Sequence, residues 1–367
     1  MSTRTFKIRK LLLPFSWLYG LVVGIRNWMY DVKIFKQYKF DIPVICVGNL
    51  TVGGTGKTPH IEYLTQMLQS NYKVGILSRG YKRKSKGFKI VSINSTPQDV
   101  GDEPLQIKQK YPEAFVFVDR DRKNGIEQIM NLPDAERPDV ILLDDGFQHR
   151  RVLPSLSILL VDSNRPIHED KLLPAGNLRE HTKGRHRASI VIVTKCNRDM
   201  SPLDFRISEA NLDLFPFQKV YHTTFDYSAL QPVFSETPTG TIDIDSLKDK
   251  HILLVTGIAT PKPLVDYLSA RSASVVTINY PDHYQFKGDD IADIQKKYGS
   301  INIDDDHKII ITTEKDATRF REMDGIDPSI KNKLYYIPIE VSFLKNKDKE
   351  SFNKKIFKHV RNYQTNG

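Results

Sequence analysis

The chain has 367 residues, 40% hydrophobic and 27% charged, with a formal net charge of +10 and a pI near 9.3. At roughly 150 residues per domain this length suggests about two domains, and the composition argues against a globally disordered chain. The positive charge favours anionic partners such as phosphates or acidic lipid headgroups, while Cys46 and Cys196, lacking metal-type spacing, read as buried thiols in a reducing compartment.

Residues 11–25 are nearly all apolar and are flanked by Arg9, Lys10 and Arg26. No small-residue cleavage site follows them, which argues against a secretory signal, and a spanning helix needs about 20 apolar residues. At helical period Ile8, Leu11, Leu12, Phe15, Leu18, Tyr19, Val22 and Met29 form one stripe, with Trp17 and Trp28 near its borders. This pattern fits an amphipathic helix over residues 7–30, lying on a membrane surface or packed on the protein's own core.

From residue 43 to 194, strand-like runs at 43–48, 73–78, 115–119, 140–144, 157–162 and 189–194 alternate with helical patterns. That rhythm predicts an α/β fold of the P-loop NTPase type, a mostly parallel sheet with helices on both faces. It fades over residues 198–250, where Pro202, Pro216, Pro232 and Pro238 suggest a linker with some strands, and resumes from residue 251. The expected organisation is an N-terminal helix at 1–35, a main α/β domain at 36–215 and a smaller α/β domain at 216–367.

The sharpest chemical signal follows the first of these strands, in Gly48-Asn49-Leu50-Thr51-Val52-Gly53-Gly54-Thr55-Gly56-Lys57-Thr58. A glycine-rich turn between strand and helix lets backbone N–H groups surround phosphates, with Lys57 reaching the β and γ oxygens and Thr58 suited to Mg2+. The generic pattern has Gly where Thr51 stands. Thr51 through Thr58 are the expected nucleotide contacts.

Farther along, Val140-Ile141-Leu142-Leu143-Asp144-Asp145-Gly146 is an apolar strand ending in two carboxylates. It reads as a Walker B element that holds Mg2+ or its waters; a strand before Asp-Asp-Gly also makes plain turns, and the P-loop ahead of it favours the metal. Gly101-Asp102-Glu103-Pro104 precedes a helical pattern, so Asp102 is either a site carboxylate or a helix cap. Residues 144–150 and 173–180 are polar loops where α/β proteins place substrates. Basic clusters at 79–89 and 179–187 would either be solvated or grip an acceptor phosphate. No nucleic-acid-binding module accompanies them.

Taken together, Val47 through Thr51, Gly56-Lys57-Thr58-Pro59, Ser78-Arg79-Gly80-Tyr81, Gly101-Asp102-Glu103-Pro104, Asp144-Asp145-Gly146-Phe147-Gln148-His149, Leu173-Pro174-Ala175-Gly176, Leu178-Arg179-Glu180, Asp282-His283 and Thr313-Glu314-Lys315-Asp316 resemble the tetraacyldisaccharide 4'-kinase (lipid A 4'-kinase) family over about residues 6–320. Family loops carry Thr at the position of Thr51, whereas Asn177 departs from a common Pro. The resemblance implies ATP- and Mg2+-dependent phosphorylation of the 4'-hydroxyl of a tetraacylated glucosamine disaccharide 1-phosphate, giving lipid IVA. It also implies peripheral or monotopic attachment to an anionic membrane at the cytoplasmic face of the bacterial inner membrane, with no nucleic acid and no obligate protein partner.

Carried over by position, the resemblance makes Lys57, Asp145, Asp102 and His283 catalytic, the last two as the base assembly. Thr58, Asp144 and Glu103 become metal ligands, and Arg79, Arg122, Gln148, His149, Arg179 and Glu180 contact substrate or support the site. A different class of protein, a nucleotide-driven switch or metal-insertion ATPase, would share the glycine-rich loop. Thr194-Lys195-Cys196-Asn197 faintly resembles a guanine-reading motif, with Asn197 where that motif needs Asp. A membrane-associated scaffold with an idle P-loop is the third class.

Overall fold

A computed structural model of the chain describes residues 8–234, 240–282, 284–323 and 325–365. Two compact units result, one of residues 1–225 with 341–367 and one of Asp226–Glu340.

The larger unit is built on a nine-stranded sheet. Its strands in chain order are β1 (Val44–Asn49), β2 (Val74–Ser78), β3 (Lys89–Val91), β4 (Phe115–Val118), β5 (Val140–Asp144), β6 (Leu156–Asp162), β7 (Ile190–Thr194) and β8 (Lys219–Tyr227), with β14 (Ile339–Phe343) at one edge. The spatial order is β14-β8-β7-β6-β1-β5-β2-β4-β3. Strands β8 through β4 pair in parallel, with register such as Val47 against Asp144 and Ile158, and β3 pairs antiparallel to β4.

Both faces of this sheet are covered, which is why its central strands are apolar throughout rather than alternating. Ile45 and Val47 of β1 point to one core with Ile61, Leu64 and Leu68 of α2 (Lys57–Leu68). Val44 and Cys46 point to the other, with Ile126 and Ile129 of α5 (Arg122–Met130). Between these helices in sequence lie α3 (Pro97–Val100) and α4 (Asp102–Lys110).

The observed boundaries differ from those expected at 215 and 216–367, for two physical reasons. Pro202 does not break structure: it occupies the first turn of α6 (Pro202–Leu212), started by a capping box of Ser201 and Asp204. β8 then extends the large sheet by parallel pairing with β7. At the other end, α11 (Asn346–Thr365) returns to the large unit and buries Phe352, Ile356 and Val360, spaced four apart, in the α2 core. Each such side chain stabilises by about 1.5–3 kcal/mol, enough to fix where the tail docks.

The smaller unit carries a five-stranded sheet in the order β11-β10-β12-β13-β9. Its strands are β9 (Gln231–Pro232), β10 (His251–Thr256), β11 (Ser274–Asn279), β12 (Lys308–Thr313) and β13 (Leu334–Ile337). Helices α7 (Lys262–Ser269), α8 (Gly288–Gly299), α9 (Glu314–Phe320) and α10 (Pro328–Lys331) accompany them. The Thr313-Glu314-Lys315-Asp316 motif is a structural tie in this unit. Thr313 caps α9, and buried Asp316 accepts from the Gly257 N–H at 2.8 Å and from Arg319 at 2.9 Å.

The N-terminal helix α1 (Leu13–Asp31) packs on the larger unit through its polar side. Ser16 is buried and bonds to the Leu172 carbonyl and the Ala175 N–H, both at 2.9 Å, and Asn27 donates to Glu180 at 2.9 Å. Tyr19, expected on the apolar stripe, instead turns inward and donates to the Arg179 carbonyl at 2.7 Å. The apolar side faces outward: Leu11 is 93% exposed, Trp17 74%, Leu18 63% and Phe15 62%, with Leu21, Val22, Ile25 and Trp28 also exposed. This is the reverse of a helix packed on its own core. No helix among the described residues is long and apolar enough to cross a membrane.

Candidate active site

β1 ends at Asn49 and α2 begins at Lys57, so residues 50–56 form the loop between them. Thr51, the departure from the generic pattern, is buried and bridges antiparallel to Leu178. The adjacent Arg179 N–H to Leu50 carbonyl bond (2.7 Å) and Val52 N–H to Asn177 carbonyl bond (2.8 Å) stitch the loop to residues 177–179. An extended, paired residue stands where the generic loop turns. Gly56, by contrast, has φ +89°, and a Cβ there would lie 2.5 Å from the Phe225 ring.

Three consecutive loop carbonyls are held from behind. Lys195 donates to the Gly54 carbonyl and to Asp162, Thr194 Oγ1 donates to the Thr55 carbonyl at 2.9 Å, and His60 Nδ1 donates to the Gly56 carbonyl at 2.7 Å. A carbonyl only accepts, so His60 is protonated on Nδ1 and takes a bond from Thr223 on Nε2 at 3.2 Å. Burial pushes its pKa down to about 4, keeping the ring neutral. In a planar trans peptide each C=O opposes the N–H that follows. The Thr55 N–H bonds to the Gly53 carbonyl, while those of Gly56 and Lys57 are turned to the open side, as an anion site requires.

Opposite the loop, β5 delivers Asp144 and Asp145. Asp145 has φ +48°, a strained conformation that clusters at functional sites. Arg179 Nη1 holds both its oxygens at 3.0 and 3.1 Å, and Lys57 Nζ lies 3.6 Å away. Burial raises the Asp145 pKa, but Lys57 and Arg179 more than offset it, so the group sits below its ordinary value.

Asp144 is buried, and its Oδ2 accepts from Ser78 at 3.0 Å while its Oδ1 has no partner. Burial, then the charges of Glu103 and Asp145, push its pKa up to about 6. A desolvated carboxylate with a bare oxygen, close enough to Glu103 and Asp145 to feel both charges, fits a hard divalent cation, and Thr58 stands half-buried at the second residue of α2. No group of three or more His, Cys, Asp or Glu residues forms a metal cage among the described residues. Mg2+ is ordinarily held by one or two carboxylates plus phosphate oxygens, so none is needed.

The supporting residues converge on the same place. Gln148 donates to the Asn49 carbonyl at 2.7 Å and to Glu180 at 3.0 Å, and Glu180, fully buried, also accepts from Arg187 at 2.9 Å. Arg122, buried at the start of α5, donates to the carbonyls of Asp119 and Asp144. His149 is half-buried, and burial together with Arg122 and Arg79 pushes its pKa down to about 4. Arg79 is exposed just past β2.

Asp102 is not the helix cap. Gly101, at φ +94°, takes that position, leaving Asp102 half-buried at the first residue of α4. His283 lies outside the described residues. Sequence reasoning missed His60 and Asn27, whose roles depend on what folds against them. It read Thr194 and Lys195 as a faint base-reading motif, whereas both bond to the nucleotide loop.

Residues 8–361 match the family model described as tetraacyldisaccharide-1-P 4'-kinase. The chain belongs to the tetraacyldisaccharide-1-P 4'-kinase family. A tetraacyldisaccharide 4'-kinase of Phocaeicola vulgatus is 48% identical to this 4'-kinase over 367 residues, covering 100% of this chain and 99% of the relative. Another, of Parabacteroides distasonis, is 45% identical over 98% of this chain and 97% of its own. The crystal structure of LpxK from Aquifex aeolicus, titled as an "apo" form in complex with ATP, superposes with a TM-score of 0.72 at 29% identity, covering 96% of this chain and 99% of that one.

Proposed function

We propose that this chain transfers the γ-phosphoryl group of ATP to the 4'-hydroxyl of a tetraacylated glucosamine disaccharide 1-phosphate, the lipid A precursor, giving lipid IVA. The observation that carries the reading is the bare, buried Asp144 Oδ1 within electrostatic reach of Lys57, which follows the glycine-rich loop and lies 3.6 Å from Asp145.

In this reading Lys57 neutralises charge on the transferring group and residues 51–58 surround the phosphates. Thr58, Asp144 and Glu103 would hold Mg2+, which when bound would supply neutralisation of the phosphate charge. Asp145 fixes Lys57 and Arg179 in position. Asp102, with His283, accepts the proton of the attacking hydroxyl. Arg79, Arg122, Gln148, His149, Arg179 and Glu180 orient the acceptor or brace those that do.

ATP turnover measured with and without detergent-dispersed acceptor tests the reading. Turnover is expected only with acceptor, and acceptor-independent hydrolysis would favour the switch or metal-insertion ATPase class instead. The loop clamp has its own consequence. Lys195→Met is expected to weaken ADP and ATP about 10-fold, the cost of roughly one charge-assisted hydrogen bond, while leaving AMP nearly unchanged. Equal weakening of AMP, measured by titration calorimetry, would mean that Lys195 reads the nucleoside.

The outward face of α1 supports peripheral attachment to an anionic membrane at the cytoplasmic face of the inner membrane. Deleting α1 would also remove Asn27 and Tyr19 from the site, so substitution of the outer face is the cleaner test. Phe15→Glu, Leu18→Glu and Val22→Glu together should move the protein from the membrane to the soluble fraction on sedimentation, with transfer to a short-chain acceptor retained. Unchanged membrane association would remove α1 as the principal anchor.

A further inference from the structure

β6 runs parallel to β1 with Leu160 opposite Asn49, so the turn that leaves β6 stands next to the glycine-rich loop that leaves β1. That turn folds back tightly. The Asp162 side chain accepts from the Asn164 N–H at 2.9 Å and its carbonyl accepts from the Arg165 N–H at 3.0 Å, a local bonding pattern that suits Asp to turns. The Arg165 guanidinium thereby comes to lie against Gly53. A Cβ built on that glycine would sit 3.0 Å from Nη1, 3.6 Å from Nη2 and 3.7 Å from Cζ, and the backbone there has φ +102°. Glycine meets both demands, the left-handed backbone and the close approach of a cation to the loop.

Arg165 is not tied down as the other arginines of the site are. Arg179 holds Asp145 at 3.0 and 3.1 Å, and Arg122 donates its terminal nitrogens to two carbonyls. The ion pair of Arg165 runs through Nε to Asp162 at 3.7 Å, well beyond the roughly 2.7–2.9 Å of a charge-assisted bond. Asp162, itself buried, is already engaged by Lys195 at 2.8 Å. Nη1 and Nη2 of Arg165 make no hydrogen bond among the described residues, and neither is buried, the side chain being 24% exposed. Two adjacent donors of a planar cation are therefore free over a loop built to surround phosphates.

We propose that Arg165 is a catalytic residue of the transfer, binding the β and γ phosphates of ATP at the Gly53 end of the loop while Lys57 serves the α2 end. The proposal rests on the kinase reading above. In the step, the acceptor oxygen bonds to the γ phosphorus and the bond from that phosphorus to the β,γ-bridging oxygen breaks. Its electron pair stays on ADP, and the hydroxyl proton goes to Asp102. Negative charge grows on the bridging oxygen, and a guanidinium fork spanning the two phosphates stabilises it more in the transition state than in bound ATP. Because the loop surrounds the phosphates, a cation lying on Gly53 meets phosphate rather than base.

Transfer to the acceptor is measured for wild type, Arg165→Ala and Arg165→Lys, with ADP and ATP binding followed by titration calorimetry. Arg165→Ala is expected to lower kcat at least about 100-fold, while the KM for ATP and the affinity for ADP stay within about 2-fold, as for a group acting mainly in the transition state. Arg165→Lys should recover little, because an ammonium cannot offer two donors in a plane. Added guanidinium ion should partly restore Arg165→Ala without raising the wild-type rate, a response that a bracing role for Arg165 would not give. An intact kcat with ATP, ADP and AMP all bound more weakly would overturn the proposal and place Arg165 on the α phosphate or nucleoside. A lowered kcat accompanied by a lowered melting temperature, with no rescue by guanidinium, would overturn it in favour of a structural role in the turn. Absence of transfer by the wild type would instead overturn the kinase reading on which the proposal stands.

Discussion

Lys57→Ala is expected to lower kcat/KM for phosphoryl transfer by at least about 1,000-fold, roughly 4 kcal/mol of transition-state stabilisation. The ammonium is half-buried at the first residue of α2, where the glycine-rich loop ends, 3.6 Å from Asp145. Two nearby cations are already engaged: Lys195 bonds to the Gly54 carbonyl and Asp162, and Arg179 is held on Asp145. The loss should appear in acceptor phosphorylation by a variant whose melting temperature is close to that of the wild type. Activity near wild type would remove Lys57 from the transfer step.

The second large effect concerns the proton of the attacking hydroxyl. Asp102→Asn is expected to lower kcat by at least about 100-fold, close to 3 kcal/mol, with ATP affinity unchanged. The structure sharpens this expectation, because Gly101 rather than Asp102 caps α4. A Cβ at Gly101, besides its φ of +94°, would lie 3.1 Å from the backbone of Gly80, so the turn is fixed by that glycine. Asn at position 102 therefore costs the helix little, and a kinetic defect reports on chemistry. Weakened ATP binding on titration would reassign the carboxylate to the metal.

Much of this was legible in the sequence wherever a local pattern dictates a local structure. An apolar run, a glycine-rich turn and a helical pattern produced β1, the loop and α2, and the run ending in Asp144 and Asp145 produced β5 beside it. What stayed hidden depends on partners distant in sequence. Periodicity finds the stripe on α1 but not the direction it faces, since that depends on Ser16, Asn27 and Tyr19 finding acceptors and donors at residues 172–180. The domain expected at 216–367 includes the tail of the chain, whereas Phe352, Ile356 and Val360 follow the apolar face of α2. The backing of the loop by Thr194 and Lys195 likewise exists only once β7 lies two strands from β1.

The most direct test of the kinase reading is to incubate the purified full-length protein with γ-labelled ATP, Mg2+ and detergent-dispersed disaccharide 1-phosphate lipid, and to locate the label. Label is expected in the lipid, on the 4'-oxygen, and only when Mg2+ and the lipid are both present. Label released solely as inorganic phosphate, or lipid left unlabelled while ATP is consumed, would contradict it.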